Sequence, residues 1–114
     1  MKTMAKHVYD KIVTLQVYSE DIDGYTDVTG IPPLHAHVNS AMFTTEKYEG
    51  RAMPDDVTMD FYFRYQSFLK PIVKRPQLYR LLWDGDAYDV VGGDNFQMQN
   101  KEIRLRGVIA NGGR

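Results

Sequence analysis

The stretch from Gln77 to Gly93, QLYRLLWDGDAYDVVGG, narrows the folds open to this chain more than any other part. At its centre Asp84-Gly85 supplies the two positive-φ residues of a type I′ turn, which predicts a two-residue β-hairpin. In that register Trp83 faces Asp86, Leu81 faces Tyr88, Arg80 faces Asp89 and Tyr79 faces Val90. One side of the hairpin then carries Tyr79, Leu81, Trp83, Tyr88 and Val90, with Gly85 at the bend. The other side sets Arg80 against Asp89, an opposite-charge pair directly across the ladder. Moving the turn to Gly85-Asp86 sets Leu82 against Asp89 and mixes the two faces, so the first register is preferred. Leu81 and Trp83, the only tryptophan, are expected to be mostly buried, and the rest of the chain has to cover this apolar side.

The remaining sequence offers strands to do so. Asp10 to Tyr18 alternates, with Val13, Leu15 and Val17 on one face. Ser19 to Pro33 is rich in turn residues and reads as a long loop or a wide hairpin connection. Leu34 to Val38 is a short second strand. Asn39 to Asp56 has no clean period; one helical turn over Thr44 to Glu49, stopped by Gly50, is the only regular structure it suggests. Val57 to Tyr65 alternates most cleanly, with Val57, Met59, Phe61, Phe63 and Tyr65 on one face. Lys70 to Arg75, bounded by Pro71 and Pro76, is a basic connection into the hairpin. Asn95 to Asn100 is a polar bend. Lys101 to Ile109 is a last strand in which Gly107 reads as the mark of a bulge. Short strands joined by turns, with edges to hide, predict an all-β fold. The expected form is a small antiparallel β-barrel of about six strands, with long loops and at most one short helical turn.

A length of 114 residues fits a single domain over residues 1–114, with residues 1–9 and 110–114 as flexible ends. With 43% hydrophobic and 25% charged residues, disorder is not expected. The net charge is −1 and the isoelectric point about 6.3, so no overall basic field exists to grip nucleic acid. Cysteine is absent, which rules out thiol catalysis and suits a reducing compartment. MKTMAKHVYDK leads into no apolar run, so no signal peptide is expected, and nothing approaches the length of a membrane span.

Chemistry-bearing patterns are few. His35 and His37 flank Ala36, so both rings leave one face of the second strand and could ligate a metal if a third ligand came from a neighbouring strand. His7 is the only other histidine and no spaced carboxylate motif accompanies the pair; the plainer reading is a partly exposed face. Asp21, Asp23, Gly24 and Asp27 imitate a calcium loop, but with Gly24 at the sixth position the closing glutamate is replaced by Gly30. No phosphate loop or nucleophile elbow is present, and no cofactor is implied. Arg64, Arg80, Arg104 and Arg106, with Tyr62, Tyr65 and Tyr79, could form a surface for single-stranded nucleic acid, as an OB-like or SH3-like module uses. Nearby Asp60, Asp84, Asp86 and Asp89 would largely cancel its charge. That module, contacting single strands or a protein partner, is the alternative reading of function.

The order of the pieces resembles the phage head-tail adaptor family, the head-closure or stopper proteins of long-tailed bacteriophages. An opening strand, KIVTLQ, precedes an acidic glycine-containing loop, DIDGYTD. LHAHV follows, then the glutamate-bearing segment FTTEKYEG, then MDFYFRY closing on Arg-Tyr. The Asp-Gly hairpin LLWDGDAYDVV and a last strand, KEIRLRGVI, complete the set, which spans Lys11 to Ile109. Members often carry a tryptophan before the second strand, where this chain has Ile31-Pro32-Pro33-Leu34. The resemblance implies a non-enzymatic structural protein of the virion neck, made in the host cytoplasm. It implies a homo-oligomeric ring of about six copies, or alternatively about twelve, built by head-to-tail contacts. The ring would sit beneath the portal and adaptor proteins, close the channel after genome packaging, and dock a tail terminator or tail tube protein. Double-stranded DNA would pass it without sequence-specific binding. The segment between the second and third strands, with Thr44, Thr45, Glu46, Lys47, Tyr48, Glu49 and Arg51, is implied to line or gate that channel.

Overall fold

A computed structural model describes residues 7–40, 58–95 and 101–110 of the chain. Its strands are β1 (Lys11–Ser19), β2 (Gly24–Asp27), β3 (Leu34–Ser40), β4 (Thr58–Arg64), β5 (Tyr79–Trp83), β6 (Asp86–Asn95) and β7 (Glu102–Ile109). The single α-helix among the described residues is α1 (Lys70–Lys74). Every strand pairing is antiparallel, in the order β2-β1-β3-β4-β7-β6-β5, and β5 pairs back onto β1. Six strands therefore close into a barrel, and β2 hangs as a short flap on β1. The nine residues of β1 make the closure, because Lys11–Val13 pair with β3 while Thr14–Val17 pair with β5. Closure removes the exposed edges that an open sheet of these strands would present.

Alternation fills the interior. Val13, Leu15, Leu34, Ala36, Phe61, Phe63, Leu81, Tyr88, Val90, Ile103 and Leu105 all point inward and are buried. Large and small residues face one another across the ladders: Phe63 stands beside Ala36 on one side and Ile103 on the other. Such pairing lets side chains fill a narrow barrel without a void. Phe61 meets the rings of Tyr88 and Trp83 edge-on, with centroids 5.4 and 6.2 Å away. Trp83 is half-buried rather than fully so. It lies at the end of β5, where the barrel opens, and packs against the core on one side only.

The connection from β4 to β5 plugs the opposite end. It enters as a 3-10 turn (Ser67–Leu69), becomes α1 with Pro71 in its first turn, and leaves as a second 3-10 turn (Pro76–Leu78). A proline near a helix start loses no hydrogen bond and has the right φ already. Leu69 and Ile72 are fully buried while Lys70, Lys74 and Arg75 face solvent. The sequence reading of a mere basic connection saw the charges and missed the apolar side. Gly93 lets this plug approach, since a Cβ there would stand 2.9 Å from Leu105 Cδ2 and 3.2 Å from Val73 Cγ2.

The strand register makes two further expectations definite. The turn-rich stretch after β1 is a hairpin, because Ser19 pairs with Gly24 and Gln16 with Asp27. Gly107 does mark a bulge: Val90 pairs with it and Gly92 with Arg106, so the extra residue, Val91, falls on the partner strand and is exposed. Against β4 Gly107 pairs regularly, and what it also supplies there is room. The helical turn expected over Thr44 to Glu49 lies outside the described residues.

The central hairpin adopts the expected register, with Arg80 opposite Asp89 and Trp83 opposite Asp86. Asp84 and Gly85 have φ of 54° and 82°. A Cβ on Gly85 would meet no heavy atom within 4 Å. Replacing Gly85 with valine should therefore cost backbone strain alone, about 1–3 kcal/mol. A denaturant midpoint unchanged from wild type would contradict the turn type.

Candidate functional site

The outer face of β3, β4 and β7 carries the densest polar chemistry in the described structure. Ladder register places His37 beside Tyr62 and Tyr62 beside Arg104, then Asn39 beside Asp60 and Asp60 beside Arg106. Arg64 stands beside Glu102 on the next rung. Strict alternation on three adjacent strands turns a scattered set of residues into one surface.

Residues 7–10, which precede β1, cross this surface as an arm held by side chains. His7 Nδ1 lies 2.6 Å from Glu102 Oε2, and the Tyr9 hydroxyl donates to the same oxygen at 2.7 Å. The His7 ring stacks on His37 with centroids 4.4 Å apart and leans on Tyr62 at 4.3 Å. The Arg64 guanidinium sits over the Tyr9 ring, 4.9 Å from its centroid. One carboxylate, Glu102, thus ties down two side chains of the arm. Neither His7, Tyr9 nor Glu102 was singled out from the sequence as a site. The available signal was the i, i+2 spacing of His7 and Tyr9, which matches the outward spacing of His35 and His37.

Burial pushes the Tyr9 phenol up to about 12, helped by its hydrogen bond to Glu102 and by that carboxylate's charge, with Arg64 acting in the opposite direction. The unfolded chain ionises a tyrosine near its ordinary value of about 10. The contribution of Tyr9 to stability is thus whole below about pH 10 and is lost as pH rises through about 12. Phenolate absorbance should show one component titrating near that upper value, and Tyr9→Phe should remove it. If the component lost in the variant titrates near the ordinary value of about 10 instead, the arm is not docked.

Between the arm and the start of β3 lies an open cleft of about 760 Å³, lined by His7, Val8, Tyr9, Pro33, His35, Arg64, Tyr65 and Gln66. Among its described lining residues Val8 and Pro33 are apolar, the others carry polar groups, and none is a carboxylate, although Glu102 stands directly behind His7, Tyr9 and Arg64. His35 and His37 do leave one face of β3, but they part company there: His35 opens into the cleft while His37 lies under the arm. Among the described residues no group of three or more His, Asp or Glu is placed to hold a metal ion.

The four arginines considered as a nucleic-acid surface are each engaged. Arg106 holds Asp60 through two hydrogen bonds, at 2.8 and 3.0 Å, and those bonds raise its pKa above the ordinary arginine value. Arg80 donates to Asp89 at 3.0 Å and lies 4.0 Å from the Tyr25 ring centroid. Arg104 lies 3.9 Å from Asp94, and Arg64 covers Tyr9. Asp60 and Asp89 cancel charge as the sequence suggested, and Asp94 adds to them; Asp84 and Asp86 instead stay exposed at the hairpin turn. Of the residues expected to serve the channel, Thr44, Thr45, Glu46, Lys47, Tyr48, Glu49 and Arg51 lie outside the described residues. The strand ends that carry them, Ser40 and Thr58, are described. Register puts Ser40 and Thr58 at the end of the barrel opposite α1.

No family model matches the chain, and no curated protein matches it in sequence. No helix among the described residues is long and apolar enough to cross a membrane. The class defined by the fold is a closed six-strand antiparallel β-barrel with a helical plug.

Proposed function

We propose that this protein is a head-tail connector of a long-tailed bacteriophage, a stopper that forms a ring beneath the portal-adaptor complex, closes the channel after packaging and docks the tail. The observation that carries this reading is the neutralisation of the barrel wall. Arg80, Arg104 and Arg106 each face a carboxylate, which offsets their charge; Arg64, stacked on Tyr9, is the exception and keeps its charge. A protein beside a DNA path must let phosphates slide past, and unpaired arginines would clamp them. A barrel whose interior is filled with side chains passes nothing through itself. The channel in this reading lies between copies, and Ser40 and Thr58, the described residues that flank the proposed gating segment, stand at the end opposite α1. A small closed β-barrel is the fold that the resemblance implies, and the strand-forming pieces within the described residues belong to one such barrel.

The single-strand-binding module is the competitor, and DNA affinity separates the two. Fluorescence anisotropy with single- and double-stranded oligonucleotides at low salt should give dissociation constants no tighter than roughly 10⁻⁴ M, the weak end of non-specific binding. Micromolar binding of single strands that weakens steeply with salt would favour the module instead.

A further inference from the structure

The large apolar side chains exposed on the described surface include Val8 and Ile22, at 64% and 62% exposure. Each belongs to a feature that complements the other. Ile22 is at the tip of the β1–β2 turn, flanked in sequence by Glu20, Asp21 and Asp23, all exposed. No lysine or arginine occurs between Lys11 and Lys47, and Arg80, which lies over Tyr25 of the same hairpin, is already paired with Asp89. Val8 lines the cleft with Pro33, where Arg64, His35 and Gln66 supply donors and no carboxylate is among the described lining residues; Glu102, behind them, is taken up by His7 and Tyr9. An apolar tip ringed by acids and a cleft that sets Val8 and Pro33 among Arg64, His35 and Gln66 are complementary in charge and in chemistry.

We propose that the β1–β2 tip of one copy seats in the Arg64 cleft of a second copy, with Ile22 against Val8 and Pro33 and the carboxylates of Glu20 and Asp21 toward Arg64 and His35. The proposal rests on the ring reading above and names its contact surfaces. Register places the tip, the start of β3 and the end of β4 at one end of the barrel, the end that α1 plugs. Tip and cleft are nevertheless different surfaces carried by different strands. The contact is therefore heterologous, each copy keeps one free tip and one free cleft, and repetition closes a ring when the rotation divides the circle. Arg64 has its stacking contact with Tyr9 and no ion pair among the described residues, so an incoming carboxylate displaces no existing partner charge.

The chain has no cysteine, which makes the contact directly testable. Two single-cysteine variants, Ile22→Cys and Val8→Cys, are mixed in equal amounts at high concentration with a short bis-maleimide. The mixed dimer should exceed either like dimer by roughly tenfold, and adding Arg64→Glu to the Val8→Cys copy should cut its yield by a similar factor. Mixed and like dimers in random proportion, or a mixed yield indifferent to Arg64→Glu, would overturn the proposal. The readout uses purified protein, whereas the neck role is read in particles. Random crosslinks together with particles that need the chain would put the ring contact on another surface. Specific crosslinks with particles indifferent to the chain would leave self-association standing without the neck role.

Discussion

Replacing Gly107 with valine is expected to cost about 3 kcal/mol or more, at or beyond the upper end of the usual overpacking range. Gly107 faces inward on β7, and a Cβ there would stand 2.8 Å from Tyr88 Cβ and 3.3 Å from Phe61 Cε1. Neither neighbour can yield cheaply. The Tyr88 Cβ is fixed to the backbone of β6, and Phe61 is fully buried against both Tyr88 and Trp83. Net stability of a domain is only about 5–15 kcal/mol, so the loss is a large fraction of it. At this chain length the melting temperature should fall by roughly 10–20 °C. Gly92→Ala is the control, because a Cβ there meets nothing within 4 Å, and it should melt like wild type. If Gly107→Val melted with Gly92→Ala, the close approach of β6 and β7 would be refuted.

A second large effect is expected from the segment between β3 and β4, and it should be functional rather than thermodynamic. Replacing Thr44 to Arg51 with a short Gly-Ser linker removes no residue of the described core, which is carried by the strands and the α1 plug. Changing the length of a connection alters loop-closure entropy only slowly, so the melting temperature should barely move. Glu46, Lys47, Glu49 and Arg51 sum to no net charge. Copies meeting around an axis could pair these charges with one another and offer DNA no attraction. Without them, packaged heads should leak DNA and fail to mature. Heads that keep their DNA and join tails normally with the shortened segment would place the gate elsewhere.

The parts of this fold that were legible in the sequence are those where one residue pair or one strict period decides the geometry. Asp84-Gly85 admits few turns, and the hairpin register follows from it. Alternation across Phe61 and Phe63 leaves β4 only one way to face. The helical plug was hidden because its apolar side, Leu69, Ile72 and Val73, is short and interleaved with Lys70, Pro71, Lys74 and Arg75. Read as a charge run, that stretch has no period; read at i, i+3, i+4 it does. β2 was missed because Gly-Tyr-Thr-Asp has no apolar alternation, and it pairs only along the outside of β1. At Gly107 a glycine that relieves a bulge and a glycine that relieves a ring look alike until the neighbour is known. The arm was illegible for a different reason. Side-chain contacts to a single carboxylate ninety-odd residues away leave no local signature, so His7, Tyr9 and Glu102 join only in three dimensions.

The central claim is that this barrel closes the neck of a virus particle, and particle DNA content tests it most directly. Particles should be produced with the coding sequence silenced in the virus or prophage that carries it, then separated by density and assayed for packaged DNA and attached tails. The expected result is heads that package and then empty, accumulating beside unattached tails, with the wild-type chain restoring full, tailed particles. DNA-filled, tailed particles in normal yield without the chain would contradict the account.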